Sequence, residues 1–221
     1  MHLRFLALAA LGMGSQPAAH AQAPTPPART YSVKADLIPM LTGGYQLGLE
    51  KVWGPAGRQA LVITPQFYRG NVQALTSELV EGSSNRVRGY GLAIQHRLYL
   101  TKQAKLLEGF YFSYGPHYQH FEMQFQALSW EPEVAPSGLT YYQYRSRGQQ
   151  ETIDRYGAAA VLGGQLFLPD LPIFLDVFTG LGLRKSSSRS TLSGNRYASS
   201  MSDYGASGFY FPIGFRVGVA W

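Results

Sequence analysis

The sequence contains no cysteine, which excludes disulfides and thiolate metal sites and leaves stability to packing and hydrogen bonding. Charged residues are scarce at 14%, against about 25% in an ordinary soluble domain. No apolar run approaches the roughly 20 residues that a spanning helix needs. No window carries the 3.6-residue period of a long amphipathic helix. What is abundant is glycine, at 25 residues, and tyrosine, at 15, a mixture suited to closely packed strands. The net charge of +6 would alone suggest a polyanionic partner such as nucleic acid.

The N-terminus argues against that partner. His2 and Arg4 flank a short apolar stretch from Leu3 to Met13, and small residues follow, with Ala19-His-Ala21 and Ala21-Gln-Ala23 as cleavage sites. This pattern predicts a secretory signal peptide over residues 1–21, cut after Ala21 or Ala23. No cysteine follows it, so a lipid-anchored lipoprotein is excluded. Residues 22–30, with Pro24-Thr-Pro-Pro27, read as a short extended leader. Residues 31–221 then form one domain, and a chain exported from the cytoplasm meets no nucleic acid.

Strand-length runs alternate with turns along that domain. They are expected at Tyr31–Ile38, Tyr45–Trp53, Gln59–Tyr68, Tyr90–Leu100, Phe110–Gln126, Tyr156–Phe167, Ile173–Arg184 and Phe209–Trp221. In the last, every second residue (Phe209, Phe211, Ile213, Phe215, Val217, Val219, Trp221) is large and apolar, and Arg216 falls on the other face. Connections after the second, fourth and sixth runs are short to moderate. Long ones are expected at 70–87, 127–154 and 185–208. Outer-membrane barrels have short periplasmic turns and longer extracellular loops, and this alternation fits them. The expected fold is all-β, an eight-stranded antiparallel up-and-down transmembrane β-barrel.

The final strand resembles the C-terminal recognition strand of Gram-negative outer-membrane proteins. That resemblance implies that Val219 and Trp221 are read by the barrel-assembly machinery. Further motifs are Tyr31-Ser-Val-Lys-Ala-Asp-Leu37, Tyr45-Gln-Leu-Gly-Leu-Glu50, Gln95-His-Arg-Leu-Tyr99, Gly109-Phe-Tyr-Phe112 and Asp176-Val-Phe-Thr-Gly-Leu-Gly182. Together they resemble a family of eight-stranded outer-membrane barrels known as a domain of unknown function. The likeness implies the barrel and outer-membrane residence, and no reaction.

The inward faces collect Lys34, Asp36, Glu50, Arg97, Asp176 and Arg216. Eight strands enclose a lumen that side chains fill, and buried charges must pair. The six are therefore expected to form a lumen plug rather than an ion path. Arg69, Arg88, Arg155 and Arg184 lie where strands meet long loops and are expected to form a basic belt for phosphorylated outer-leaflet lipid; snorkelling to water is the bland alternative. Aromatics are expected to form two girdles, with Tyr68, Tyr90, Tyr114, Tyr118, Tyr156 and Phe209 outermost and Trp53, Tyr99, Phe110 and Trp221 innermost.

His117 and His120 sit three apart on one strand and so point to opposite faces. They cannot meet at one metal or one reacting atom, and no catalytic residue, metal or cofactor is assigned. Tyr141-Tyr-Gln-Tyr-Arg-Ser-Arg147 either extends a hairpin above the membrane or contacts a partner. The expectation is a monomeric outer-membrane barrel with a structural or surface-interaction role and no useful pore. Its partners would be outer-membrane lipid, the assembly machinery and an extracellular partner at 127–154 and 185–208. The alternatives are a lipid-modifying barrel enzyme and a soluble lipocalin-like carrier, whose lumen would have to be apolar.

Overall fold

The computed structural model describes residues 29–53, 57–72, 85–100, 107–191, 194, 197 and 203–221. The signal peptide read over 1–21 and the leader up to residue 28 lie outside the described residues, as do 73–84 and parts of 185–208. The described elements are β1 (Tyr31–Asp36), α1 (Leu37–Met40), β2 (Gly44–Trp53), β3 (Gln59–Asn71), β4 (Arg86–Tyr99), β5 (Gly109–Val134), β6 (Thr140–Phe167), β7 (Ile173–Ser190), β8 (Gly208–Tyr210) and β9 (Ile213–Ala220). No helix among them is long and apolar enough to cross a membrane.

Every pairing is antiparallel. Neighbours in sequence pair from β1 through to β7, β7 also holds β8 and β9, and β9 returns to β1. The pairing therefore closes into a ring. From Tyr31 the in-register partners run through Lys51, Leu61, His96, Tyr114, Ala160 and Leu181. Carrying the β7–β9 and β9–β1 registers onward brings the trace back level with Leu41, not Tyr31. That displacement is the stagger that tilts the strands of a closed sheet.

The two faces are inverted relative to a soluble protein. Phe110 is 72% exposed, whereas Arg97 is 0% exposed. Leu47, Leu49, Ile63, Leu92, Ile94, Leu162, Val177 and Leu181 also face out. Along β1 and β2 the polar Ser32, Lys34, Asp36 and Glu50 are buried between exposed or half-exposed neighbours. The apolar outer band runs from Trp53, Phe110 and Trp221 at one end to Tyr90, Tyr118, Tyr156 and Phe209 at the other. Tyr68 and Tyr99 do not belong to it. Both lie on the inner face, because each is one residue from an outward side chain, Phe67 and Leu100.

Where 127–154 was expected to be a loop, β5 and β6 continue as a hairpin to a turn at Ala135–Leu139. The ladder persists although the outward residues become polar (Glu122, Gln124, Gln126), so the apolar signal fades before the strand ends. Beyond Gln126 and Gly148 these strands pair only with each other. They form a two-stranded arm. β3, β4 and β7 likewise run past their expected ends, to Asn71, back to Arg86, and to Ser190.

The last strand is divided at Phe211 and Pro212. Pro212 has no N–H to donate, but its carbonyl accepts from Gly180 N–H at 2.9 Å. Thr179 lies opposite Ile213 and Gly182 opposite Tyr210, so the register is common to both halves. β1 ends early at Asp36, and α1 with its Pro39 follows. Past Asp36, then, the wall between β2 and β8–β9 contains α1 instead of a strand. This is a notch in the ring.

Two apolar clusters bracket the interior. One, toward the Trp53 and Trp221 end of the band, includes Val52, Tyr99, Tyr111, Phe174 and Phe178. The other, toward the arm, includes Val87, Phe121, Met123, Phe125, Ile153 and Tyr204.

Candidate functional site

Between the two clusters lies a network of buried charge. Lys34 is in register with Gly48 on one side and Gly218 on the other. A Cβ at Gly48 would come 2.9 Å from Lys34 Cγ, and one at Gly218 would come 2.3 Å from the Phe174 ring. Glycine on both sides lets the lysine lie across the lumen. Its Nζ donates to Glu50 Oε2 at 2.7 Å and to Asp176 Oδ2 at 3.1 Å. Arg97, between the small residues Ala60 and Ser113, reaches Glu50 and Asp176 at 3.3 Å each. Arg216 Nε donates to Asp36 Oδ2 at 3.1 Å, and its Nη1 lies 3.9 Å from Asp176.

All three cations therefore converge on Asp176. All six charged residues are at most 7% exposed and the formal charges cancel. Two phenols complete the network: Tyr99 donates to Glu50 Oε1 at 2.8 Å and Tyr111 donates to Asp176 Oδ1. The Arg97 guanidinium stacks 3.6 Å from the centre of the Tyr111 ring and that of Arg216 lies 3.9 Å from the Phe178 ring. Gln165 accepts from Arg97 at 3.0 Å. Tyr99, Tyr111 and Gln165 were missed as members of this group. Strand parity was the available signal, since Tyr99 follows Arg97 by two.

Each of the six charges lies within 3.9 Å of one of opposite sign. Ser113 Oγ, on the same face, is buried with no hydrogen-bond partner among the described residues. His117 Nδ1 instead lies 3.4 Å from the Tyr210 hydroxyl.

The other two described histidines are on the outside. His120 Nδ1 is 2.8 Å from Asp154 Oδ1, and its ring stacks on Tyr90 at 5.0 Å. His96 Nδ1 is 3.0 Å from the Tyr114 hydroxyl, and its ring stacks on Trp53. Asp154 sits one step beyond the Tyr118–Tyr156 pair that ends the apolar band. Hydrogen bonds from His120 and then Tyr118 hold its carboxyl below the usual carboxylate range.

The four arginines expected at the rim divide. Arg69 and Arg88 are exposed on the outer face, opposite one another across β3 and β4. Arg155 and Arg184 instead face inward, so the expected four-membered belt is corrected to a pair. Parity is the reason: Tyr156 and Leu183 point outward, so the residue beside each must point in. Arg155 Nε donates to Gln119 Oε1 at 2.8 Å, and the Arg184 guanidinium lies 5.0 Å from the Tyr210 ring. At the C-terminus, Val219 and Trp221 are exposed on the outer face. Trp221 stacks on Tyr31 with ring centroids 6.4 Å apart.

Neither a family model nor a curated protein sequence matches the chain. Among solved structures it is similar to a major outer membrane protein from Thermus thermophilus, at 12% identity and a TM-score of 0.44, over 88% of this chain and 100% of the other. It is also similar to Acinetobacter baumannii CarO, at 9% identity and 0.39, over 87% and 97%. For Acinetobacter baumannii CarO2 the values are 10% and 0.40, over 87% and 98%.

Proposed function

We infer that the chain is an integral outer-membrane β-barrel whose lumen is sealed by the charge network, and that it acts at the cell surface rather than as a pore or an enzyme. The observation that carries this reading is the inversion of its faces. A ring of strands with leucine, isoleucine and phenylalanine outside and six mutually paired charges inside is stable in lipid, and in water it would expose a large apolar belt. A lipocalin-like carrier would place its apolar face inward.

The surface role falls to the arm and the rim. The arm presents Trp130, Tyr142 and Tyr144, all more than half exposed. Glu131 accepts from both Arg145 and Arg147 across the hairpin, the latter at 2.6 Å. Rigid aromatics among polar groups suit contact with an extracellular partner. Arg69 and Arg88 suit the phosphates of outer-leaflet lipid. During biogenesis the exposed Val219 and Trp221 would meet the assembly machinery, and the mature barrel would be a monomer.

The test is refolding of residues 22–221 into detergent micelles, then into a planar bilayer. Micelle-dependent folding, faster gel migration without boiling, and a silent bilayer are the expected results. Folding in detergent-free buffer would remove the membrane reading, and steady ionic conductance would remove the sealed lumen.

A further inference from the structure

Above the charge network the lumen holds a cavity of about 180 Å³. Arg155, Arg184, Arg216 and His117 line it, and Asp36 is the one carboxylate among its described lining residues. Asp36 is already engaged by Arg216. The hydrogen-bond acceptors of Arg155 are uncharged, namely Gln119 Oε1 and the Tyr204 carbonyl. Arg216, 7% exposed, keeps its Nη1 buried with no hydrogen-bond partner among the described residues. The cavity is thus cationic and has a donor to spare.

Its exits are few. Below lies the charge network, and above lies the apolar cluster whose Phe121 ring Arg155 covers at 5.0 Å. Pro39, Pro212 and Ile213 also line it, and these belong to the notch where β1 has ended and α1 spans from β2 to β9. Phe209, Phe211 and Ile213, all more than 60% exposed, stand beside that notch on the outer face. At the notch the cavity therefore has its wall within the apolar band, at the level of lipid rather than of water. Its volume is below the roughly 300–1,000 Å³ of a pocket that encloses a whole small molecule, but is ample for one charged group.

We propose that this cavity is a binding site for the phosphate or carboxylate headgroup of a membrane amphiphile, which enters sideways through the notch and leaves its hydrocarbon chain against Phe211 and Ile213. The inference rests on the membrane-barrel reading. Guanidinium pairs bind such anions through charge-assisted hydrogen bonds, and the enclosed setting strengthens them. A zwitterionic or neutral head offers no net charge to match.

The test uses residues 22–221 folded in neutral maltoside micelles, where folding itself is scored first by gel migration. Failure to fold in micelles would sink the barrel reading; folding without binding would sink this proposal alone. Thermal unfolding is followed with added dodecyl phosphate, dodecanoate, dodecylphosphocholine or inorganic phosphate. The two anionic amphiphiles should raise the midpoint in a concentration-dependent way, and the other two should not. Equal effects of phosphocholine would refute the charge argument, and an equal effect of free phosphate would refute lateral entry. Arg155→Gln with Arg184→Gln should weaken dodecyl phosphate binding about tenfold or more, and Arg155→Lys with Arg184→Lys should retain most of it. Should the glutamine variant not fold, the four ligands on the unaltered chain still decide.

Discussion

Arg216 Nε lies 3.1 Å from Asp36 Oδ2, and the two residues are directly opposite in the ladder that joins the last strand to the first. The pair thus stands at the seam of the ring and at the lower edge of the notch. Replacing Arg216 by leucine leaves Asp36 buried without its cation and removes one of three cations from Asp176. The expected loss is about 3–5 kcal/mol of unfolding free energy, measured by urea titration in micelles. A loss under about 1 kcal/mol is what a solvent-exposed pair would give, and would mean that water reaches the seam.

The arm should be dispensable for folding. Residues 127–147 pair only among themselves, and an isolated two-stranded hairpin is marginally stable at best. Replacing them with a short turn should alter the unfolding free energy of the remaining protein by less than about 1 kcal/mol. Failure to refold would show that the arm nucleates the ring.

Orientation follows from the side on which the arm lies. An epitope inserted between Ser137 and Gly138, in the exposed turn at its tip, should bind antibody on intact cells. An epitope at Asp170, in the tight turn between β6 and β7, should bind only after permeabilisation. The reverse pattern would turn the barrel over.

Much of this arrangement was legible because period two is a strong signal wherever one face is apolar. Alternation alone placed Lys34, Asp36, Glu50, Arg97, Asp176 and Arg216 on the inner face, where the structure buries all six. Arg155, Arg184, Tyr68 and Tyr99 were misassigned by their positions near strand ends. Parity points all four inward, whereas rim composition points the other way. Of the arm, only Tyr141–Arg147 read as a hairpin extension, and the rest was hidden for a different reason. A strand with water on both sides needs no apolar face, so Gln150, at the base of the arm, reads as loop while its backbone continues the ladder. The notch depends on β1 stopping at Asp36, which no periodicity announces.

Acid should loosen the base of the arm. The carboxyl of Asp154 is held below its ordinary range by hydrogen bonds from His120 and then Tyr118. A depressed folded value means that its contribution is complete above the pKa of the unfolded carboxyl, about 3.9, and is lost as pH falls through the folded value. Amide exchange around Phe121 and Ile153, corrected for intrinsic rates, should accelerate below about pH 4. Asp154→Asn should remove that acceleration, and its persistence in the variant would assign it to another group.

The terminal aromatic separates assembly from stability. Trp221 is 61% exposed and its main packing partner is Tyr31. Trp221→Ser should lower the amount of barrel reaching the outer membrane several-fold while shifting the urea midpoint of purified protein little. A large fall in the midpoint with normal delivery would recast Trp221 as a packing residue.

The six lumen charges come from β1, β2, β4, β7 and β9, strands that span almost the whole length of the sequence. Lys34 on the first strand finds one of its two carboxylates on β7, and Arg216 on the last strand finds its carboxylate on β1. An open sheet missing either edge strand would therefore hold several ions with no counter-ion in a poorly hydrated setting, which is strongly unfavourable. Partly zipped intermediates are penalised and the fully joined ring is not. The lumen thus works as a lock that engages only when the first and last strands have met, making joining of the seam the committing step of folding.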